Sequence, residues 1–372
     1  MDIKIRFSLC VLLTLVIIHS AEELGDDILG QSTAIGPSFM CAISQRNNYD
    51  EIGGQATCWH DGVRGREKLT SAPKDETMVQ IIAGSAYGCG LNIDQRVVCW
   101  GSFKDYNVPG FYTQISGADM YGCGIKTDSS IGCWGSLHAA PPQDGKYVQV
   151  DCHSYHCCAL TTEGHASCWG KDFAGDAGVN KHLISPIDEA KRSKLSTDAE
   201  EEDGYDDVGD PEEMEAAALK HTFIKLAVGQ EFTCGITTEK YGLCWGEGIH
   251  LADHVPEYIP GPLKHIALGD AGMCALYGAP IEETLEGEEE DIVDKNDNVS
   301  QKIDPSSPAE HSMKCWGFHL PNFLKESHLK DLEVDQVVVG ATSACAVTMD
   351  SELKCWGIGN EVKRLPQGLV IA

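Results

Sequence analysis

The chain is 372 residues long and carries a net charge of −29, with 57 acidic against 28 basic side chains. A surface of that sign repels nucleic-acid phosphates, so no nucleic-acid partner is expected. Seventeen cysteines point to an oxidising compartment and a disulfide framework rather than to a reduced interior.

Residues 1–21 have the layout of a secretory signal peptide. Lys4 and Arg6 give a basic start, an apolar run from Leu9 to Ile18 is broken only by Thr14, and Ser20 and Ala21 offer a cleavage point. That run is shorter than the roughly 20 residues a bilayer span needs. The expected product is secreted and extracellular, without a membrane span. Loss of Cys10 with the signal leaves sixteen cysteines, an even number that can pair completely. Residues 22–372 are read as a single domain.

From about residue 33 onward the chain repeats itself. All seven tryptophans (Trp59, Trp100, Trp134, Trp169, Trp245, Trp316 and Trp356) follow a cysteine, and six of these pairs precede a glycine, His60 being the exception. Five or six residues before the first cysteine of six repeats stands a glycine: Gly36, Gly84, Gly117, Gly229, Gly269 or Gly340. Apolar runs such as "VQIIAG" and "IKLAVG" lead into these glycines. The grammar predicts a strand, a glycine turn, a second strand, a tight turn near Asp94 or Asp128, and a third strand ending in Cys-Trp.

In five repeats the two cysteines are ten residues apart, which sets them opposite one another in a symmetric hairpin and within disulfide range. The expected pairs are Cys41–Cys58, Cys89–Cys99, Cys123–Cys133, Cys158–Cys168, Cys234–Cys244, Cys274–Cys315 and Cys345–Cys355. Units this small cannot cover both sheet faces, so they must stack, either radially or as a solenoid. Seven repeats without capping units favour a closed ring, and the tail "LPQGLVIA" has the look of a strand that would complete the first repeat.

"DCHSYHCC" at 151–158 is the densest run of metal-ligand types. Once the repeats are aligned, Cys158 belongs to the repeat, and His156 takes the place of Phe39, Tyr87, Tyr121 and Phe232. Cys152 then falls in the slot of the repeat glycine. Cys152 and Cys157 are the two cysteines left over, and they are expected to pair with each other. His153 and His156 are weak metal-ligand candidates, and no metal site is assigned.

Two long intervals, 76 residues between Trp169 and Trp245 and 71 between Trp245 and Trp316, hold acidic insertions read at 188–216 and 279–312. Residues 198–215 carry eleven acids, and residues 282–297 carry nine acids and one lysine, together −19 of the −29. Both are expected to be disordered, except for a short helix over 210–221. Asn298 heads an Asn-Val-Ser glycosylation acceptor. No G-x-S-x-G, H-E-x-x-H or P-loop motif occurs, so no catalytic residue and no cofactor is assigned.

With its apolar strand, glycine, Cys-(Ala/Gly)-(Leu/Ile), turn and Cys-Trp-Gly, the pattern resembles the regulator-of-chromosome-condensation repeat, "CALTTEGHASCWG" at 158–170 being the nearest copy. The paired cysteines resemble the variant in ectodomains of crinkly-type plant receptor kinases. The resemblance implies an all-β fold, a seven-bladed β-propeller with one disulfide inside each blade and two acidic loop insertions. The expected function is that of a non-catalytic module, a monomer, that binds an extracellular protein or glycan. A bacterial β-lactamase inhibitor protein shares the propeller, which makes a secreted hydrolase inhibitor the alternative. The acidic insertions add a third reading, a calcium-associated matrix protein.

Overall fold

The structure, a computed structural model, describes residues 32–45, 53–104, 106–170, 221–230, 232–246, 255–270, 272–279, 311–317, 332–341, 343–357, 360, 362–366, 369 and 371. The signal, Asn298, the 188–216 insertion and nearly all of the 279–312 insertion lie outside them, as does all but the last residue of the helix expected at 210–221.

The described residues are almost wholly β. Strand triplets follow one another along the chain: Thr33–Ile35, Phe39–Gln45 and Gly54–His60; Met78–Ala83, Tyr87–Asn92 and Val97–Gly101; Tyr112–Gly117, Tyr121–Lys126 and Ile131–Gly135; Tyr147–Cys152, His156–Thr161 and Ala166–Gly170. Three more triplets complete the series: Phe223–Val228, Thr233–Thr237 and Gly242–Trp245; Leu263–Leu268, Gly272–Tyr277 and Met313–Gly317; Val334–Val339, Ser343–Thr348 and Leu353–Gly357. Each pairs antiparallel in chain order, and they form six sheets because a Gly54–Met78 pairing joins the first two. Two short 3-10 turns, Glu67–Thr70 and Val362–Arg364, are the helical content of the described residues.

In every triplet the two repeat cysteines face each other across the second and third strands and are bonded, with Cα atoms 3.9–4.1 Å apart. The eighth disulfide joins Cys152 and Cys157. The pairing of first to second strand skips one residue in six triplets, at Val79, Thr113, Val148, Ile224, Lys264 and Asp335. Such a bulge bends the strand and sharpens its twist.

The apolar core is divided among the junctions between triplets. Seven clusters of buried side chains occur among the described residues, each mixing two neighbouring triplets. Each tryptophan packs toward the triplet that precedes its own. Trp100 joins Phe39, Ile43 and Ala34 of the first, and Trp134 joins Tyr87 and Leu91 of the second. This explains the Cys-Trp grammar: the cysteine staples the sheet internally, and the adjacent, oppositely directed tryptophan docks it onto its neighbour. Gly88, across from Trp100, is small for the same reason, since a Cβ there would lie 2.4 Å from the indole ring.

Trp59 of the first triplet packs with Val338, Cys345, Val347 and Leu353 of the seventh, and with Ile371. The first and seventh triplets also share hydrogen bonds, from the Ser32 N–H and Oγ to Gln336 Oε1 (3.3 and 2.9 Å). Ile371 bridges Ser44, in the register that Tyr112 takes opposite Lys126 and Tyr147 takes opposite Thr161. Its N–H donates to the Ser351 carbonyl (3.0 Å), as Tyr112 donates to Gln95 (2.8 Å) and Tyr147 to Ser129 (2.9 Å). These acceptors are the turn residues with φ of 60–66°.

Candidate functional site

The first strands of all seven triplets line a cavity of about 150 Å³. Its wall combines apolar residues such as Ala34, Ile82 and Val338 with Ser116, Asp151, Lys225 and His265, and it reaches the first-to-second strand turns at Pro37, Asp119, Ser154 and Asp270. The polar side chains on this wall tie triplet to triplet, chiefly from one sequence position.

Nine residues before the first repeat cysteine stand Ser32, Gln80, Gln114, Gln149, Lys225, His265 and Gln336. Gln80 accepts from the Ile115 N–H (2.8 Å) and donates to the Ile115 carbonyl (2.7 Å). Gln114 clasps both backbone groups of Val150 (2.9 and 2.8 Å), and Gln149 those of Leu226 (2.9 and 2.7 Å). His265 reaches the Val337 carbonyl (3.2 Å), and Gln336 reaches Ser32 as described. A primary amide suits this task because it offers a donor and an acceptor together. Sequence reading missed the belt, although glutamine at four of seven equivalent positions was visible.

The 151–158 stretch distributes its side chains over several neighbours. Asp151 accepts from Ser116 Oγ of the third triplet (2.7 Å) and from the Val228 N–H of the fifth (2.7 Å). Burial pushes this carboxyl above its usual range, against those two bonds. His153 accepts the Ser154 N–H at Nδ1 (2.8 Å), so Nε2 carries the proton and faces Asp270 Oδ1 of the sixth triplet (3.2 Å). His156 points elsewhere: Nε2 meets Thr233 Oγ1 (2.9 Å), while Nδ1 is buried without a partner. The two histidines thus spend themselves on separate residues. The one group of three clustered ligand types among the described residues is Cys123, Cys152 and Cys157, all bonded in disulfides.

One alignment needs correction. The turn position is marked by an N–H that donates back across the turn, from Gly84 to Tyr87 and from Gly340 to Ser343. In the third and fourth triplets the donors are Ala118 and His153, so His153, not Cys152, holds the glycine place. Gly117 and Cys152 lie one residue earlier, at the end of the first strand. His156 does occupy the place of Tyr87 and Tyr121. Where those tyrosines donate to the Ala118 and His153 carbonyls (2.9 and 3.0 Å), His156 bonds Thr233.

Burial, and then the nearby His153, lower the His156 pKa from 6.5 to about 4, and burial drives His265 well below the ordinary range. A histidine kept neutral in the fold contributes stability that is full above its unfolded pKa. That contribution is lost as pH falls from about 6.5 toward the folded value. Asp151, raised instead, works in the opposite sense. His156 alone accounts for up to about 3 kcal/mol across that window. The variant His156→Phe, which copies Phe39 and Phe232, should show a smaller drop in melting temperature between pH 7 and pH 4.5. An unchanged drop would exclude His156 as a source of acid sensitivity.

Around the cavity, on the same end of the molecule, the rim of the second to fourth triplets carries exposed aromatic and apolar side chains. Phe103 stacks on Tyr87 (ring centroids 4.2 Å apart) and neighbours Tyr106 (5.7 Å); His138 lies between Tyr121 (5.9 Å) and Tyr155 (6.2 Å). Met120, Tyr106 and Leu137 are 63%, 48% and 38% exposed, so they lie on the surface rather than in the core.

No protein-family model matches the chain. Among solved structures, the chain is similar to the CRINKLY WD40 ectodomain of the Arabidopsis thaliana receptor kinase ACR4, at 18% identity over 92% of this chain and 98% of that one, with a TM-score of 0.57. It is similar also to the ectodomain of the Physcomitrella patens receptor kinase CR4, at 17% identity over 88% and 73% of the two chains, with a TM-score of 0.56. Prp20p of Saccharomyces cerevisiae aligns at 12% identity over 93% and 87%, with a TM-score of 0.45. At these identities the likeness is one of fold, and in fold this disulfide-stapled chain resembles the crinkly-type receptor-kinase ectodomains.

Proposed function

We propose that the chain is a secreted, non-catalytic binding module whose repeats close into a seven-bladed propeller and whose rim receives an extracellular protein or glycan. Eight disulfides support an oxidising compartment. Closure is supported by the Ile371 bridge, by the Ser32–Gln336 bonds, and by the cavity wall drawn from every triplet. The observation that carries the binding reading is the exposed row Tyr106, Met120, Leu137 and His138. A rigid scaffold holds these side chains at one end of the molecule, and Tyr and Met are enriched at recognition surfaces.

The test is capture of extracellular proteins and glycans by the mature chain, compared with Tyr106→Ala/Met120→Ala/Leu137→Ala. A partner held by the parent should bind the triple variant at least about tenfold more weakly, a loss of about 1.4 kcal/mol, with the melting temperature unchanged. Equal binding by the variant would remove the rim from the account, and turnover of the captured molecule would remove the non-catalytic reading.

A further inference from the structure

Two disulfides touch across the junction of the third and fourth triplets. Cys123 Sγ lies 3.9 Å from Cys157 Sγ, at van der Waals contact, and Cys152 Sγ completes a group within 4.8 Å. Cys123 is bonded to Cys133, and Cys157 to Cys152. Cys123 Sγ therefore sits beside the Cys152–Cys157 bond, within 4.8 Å of both its sulfurs, and the two disulfides make one cluster that runs from Cys133 to Cys152. Its ends differ in surroundings. Cys133 is half-buried and is the more accessible sulfur of its pair, since Cys123 is fully buried. Cys152, at the other end, belongs to the wall of the axial cavity. Thiol–disulfide exchange proceeds by attack of a thiolate on a neighbouring disulfide sulfur, and access decides which sulfur is attacked first.

We propose that this pair of disulfides is a thiol–disulfide exchange site, which takes a low-molecular-weight thiol at Cys133 and releases a free thiol at Cys152. The incoming thiolate attacks Cys133 Sγ, forming a mixed disulfide and breaking the bond to Cys123. The Cys123 thiolate, freed from Cys133, turns into line with the neighbouring Cys152–Cys157 bond, attacks Cys157 Sγ and expels Cys152. Cys152 leaves as a thiolate and takes a proton from water. A second thiol resolves the mixed disulfide, so two thiols are oxidised to one external disulfide. Two native disulfides become one Cys123–Cys157 bond plus free Cys133 and Cys152. The new bond joins the third triplet covalently to the fourth, and a nucleophile appears inside the cavity.

The folded full-length protein is equilibrated with a graded series of glutathione, trapped by rapid alkylation, and mapped by peptide mass spectrometry without further reduction. The expected result is joint loss of the Cys123–Cys133 and Cys152–Cys157 peptides, with gain of a Cys123–Cys157 peptide and alkylated Cys152, while Cys89–Cys99 persists. Alkylation of both Cys123 and Cys133 with Cys152–Cys157 intact would overturn the proposal, as would parallel opening of all eight pairs. In Cys133→Ser, Cys152 should be alkylated without any added thiol; alkylation of Cys123 instead would overturn it. The graded series on the unaltered chain decides the matter should that variant fail to fold.

Discussion

Replacing Ile371 by aspartate is expected to cost more than about 4 kcal/mol of stability, the largest effect of any single change considered for this protein. Ile371 is 1% exposed and packs among Met40, Ala42 and Trp59 of the first triplet and Val338, Val347 and Leu353 of the seventh. A carboxylate there would have no cation among those neighbours and would have to be desolvated or protonated. Ile371→Val, which removes one methylene group, should cost about 1 kcal/mol. The effect belongs to the proposed closure rather than to a local strand. Ile371 occupies the place that Tyr112, Tyr147, Phe223, Leu263 and Val334 occupy in other triplets, each supplied there by the chain that leads into the triplet. Thermal unfolding followed by tryptophan fluorescence measures the loss directly, because Trp59 shares the cluster. A melting temperature within a degree or two of the parent's would mean that this tail contributes nothing to holding the first and seventh triplets together.

The second large effect is expected at the glutamine belt. Gln80 is 5% exposed and satisfies both backbone groups of Ile115 across a triplet junction. Gln80→Leu keeps the volume but leaves the buried Ile115 N–H unpaired, while the Ile115 carbonyl keeps its bond from Gln114 Nε2 (3.1 Å). At about 1–3 kcal/mol for an orphaned buried group, the loss should be about 1–3 kcal/mol. Gln80→His, copying the sixth triplet, retains one of the two bonds and should fall between parent and Gln80→Leu. Equal stability of all three proteins would show that water satisfies Ile115 and that the belt is ornamental.

Much of the fold was legible because its strongest constraints are local. A cysteine pair ten residues apart, with tryptophan after the second, encodes a hairpin, its staple and its docking residue within a dozen positions. What failed to show was what depends on a neighbour one repeat away. The belt position holds glutamine four times but serine, lysine and histidine in the others, because several polar side chains can reach the same backbone groups. Spacing alone sets Cys152 in the glycine place because the glycine of the third repeat stands six residues before its cysteine; the turn N–H, five residues before the cysteine in every triplet, belongs in the fourth to His153. Its contact with Asp270 had no local signal at all: the two residues sit in the fourth and sixth triplets, with an insertion between them. The rim was hidden for a related reason. Met120 and Leu137 have the composition of core residues, and their exposure follows from where the turns project.

Closure is the claim on which the cavity, the belt and the rim geometry all depend, and amide hydrogen exchange at Ile371 tests it without altering the chain. Its N–H donates to the Ser351 carbonyl as the N–H groups of Tyr112 and Tyr147 donate to Gln95 and Ser129. The account predicts protection of the Ile371 amide comparable to that of Tyr112 and Tyr147. Exchange of the Ile371 amide at the rate of an unstructured peptide, with Tyr112 and Tyr147 still protected, would contradict it.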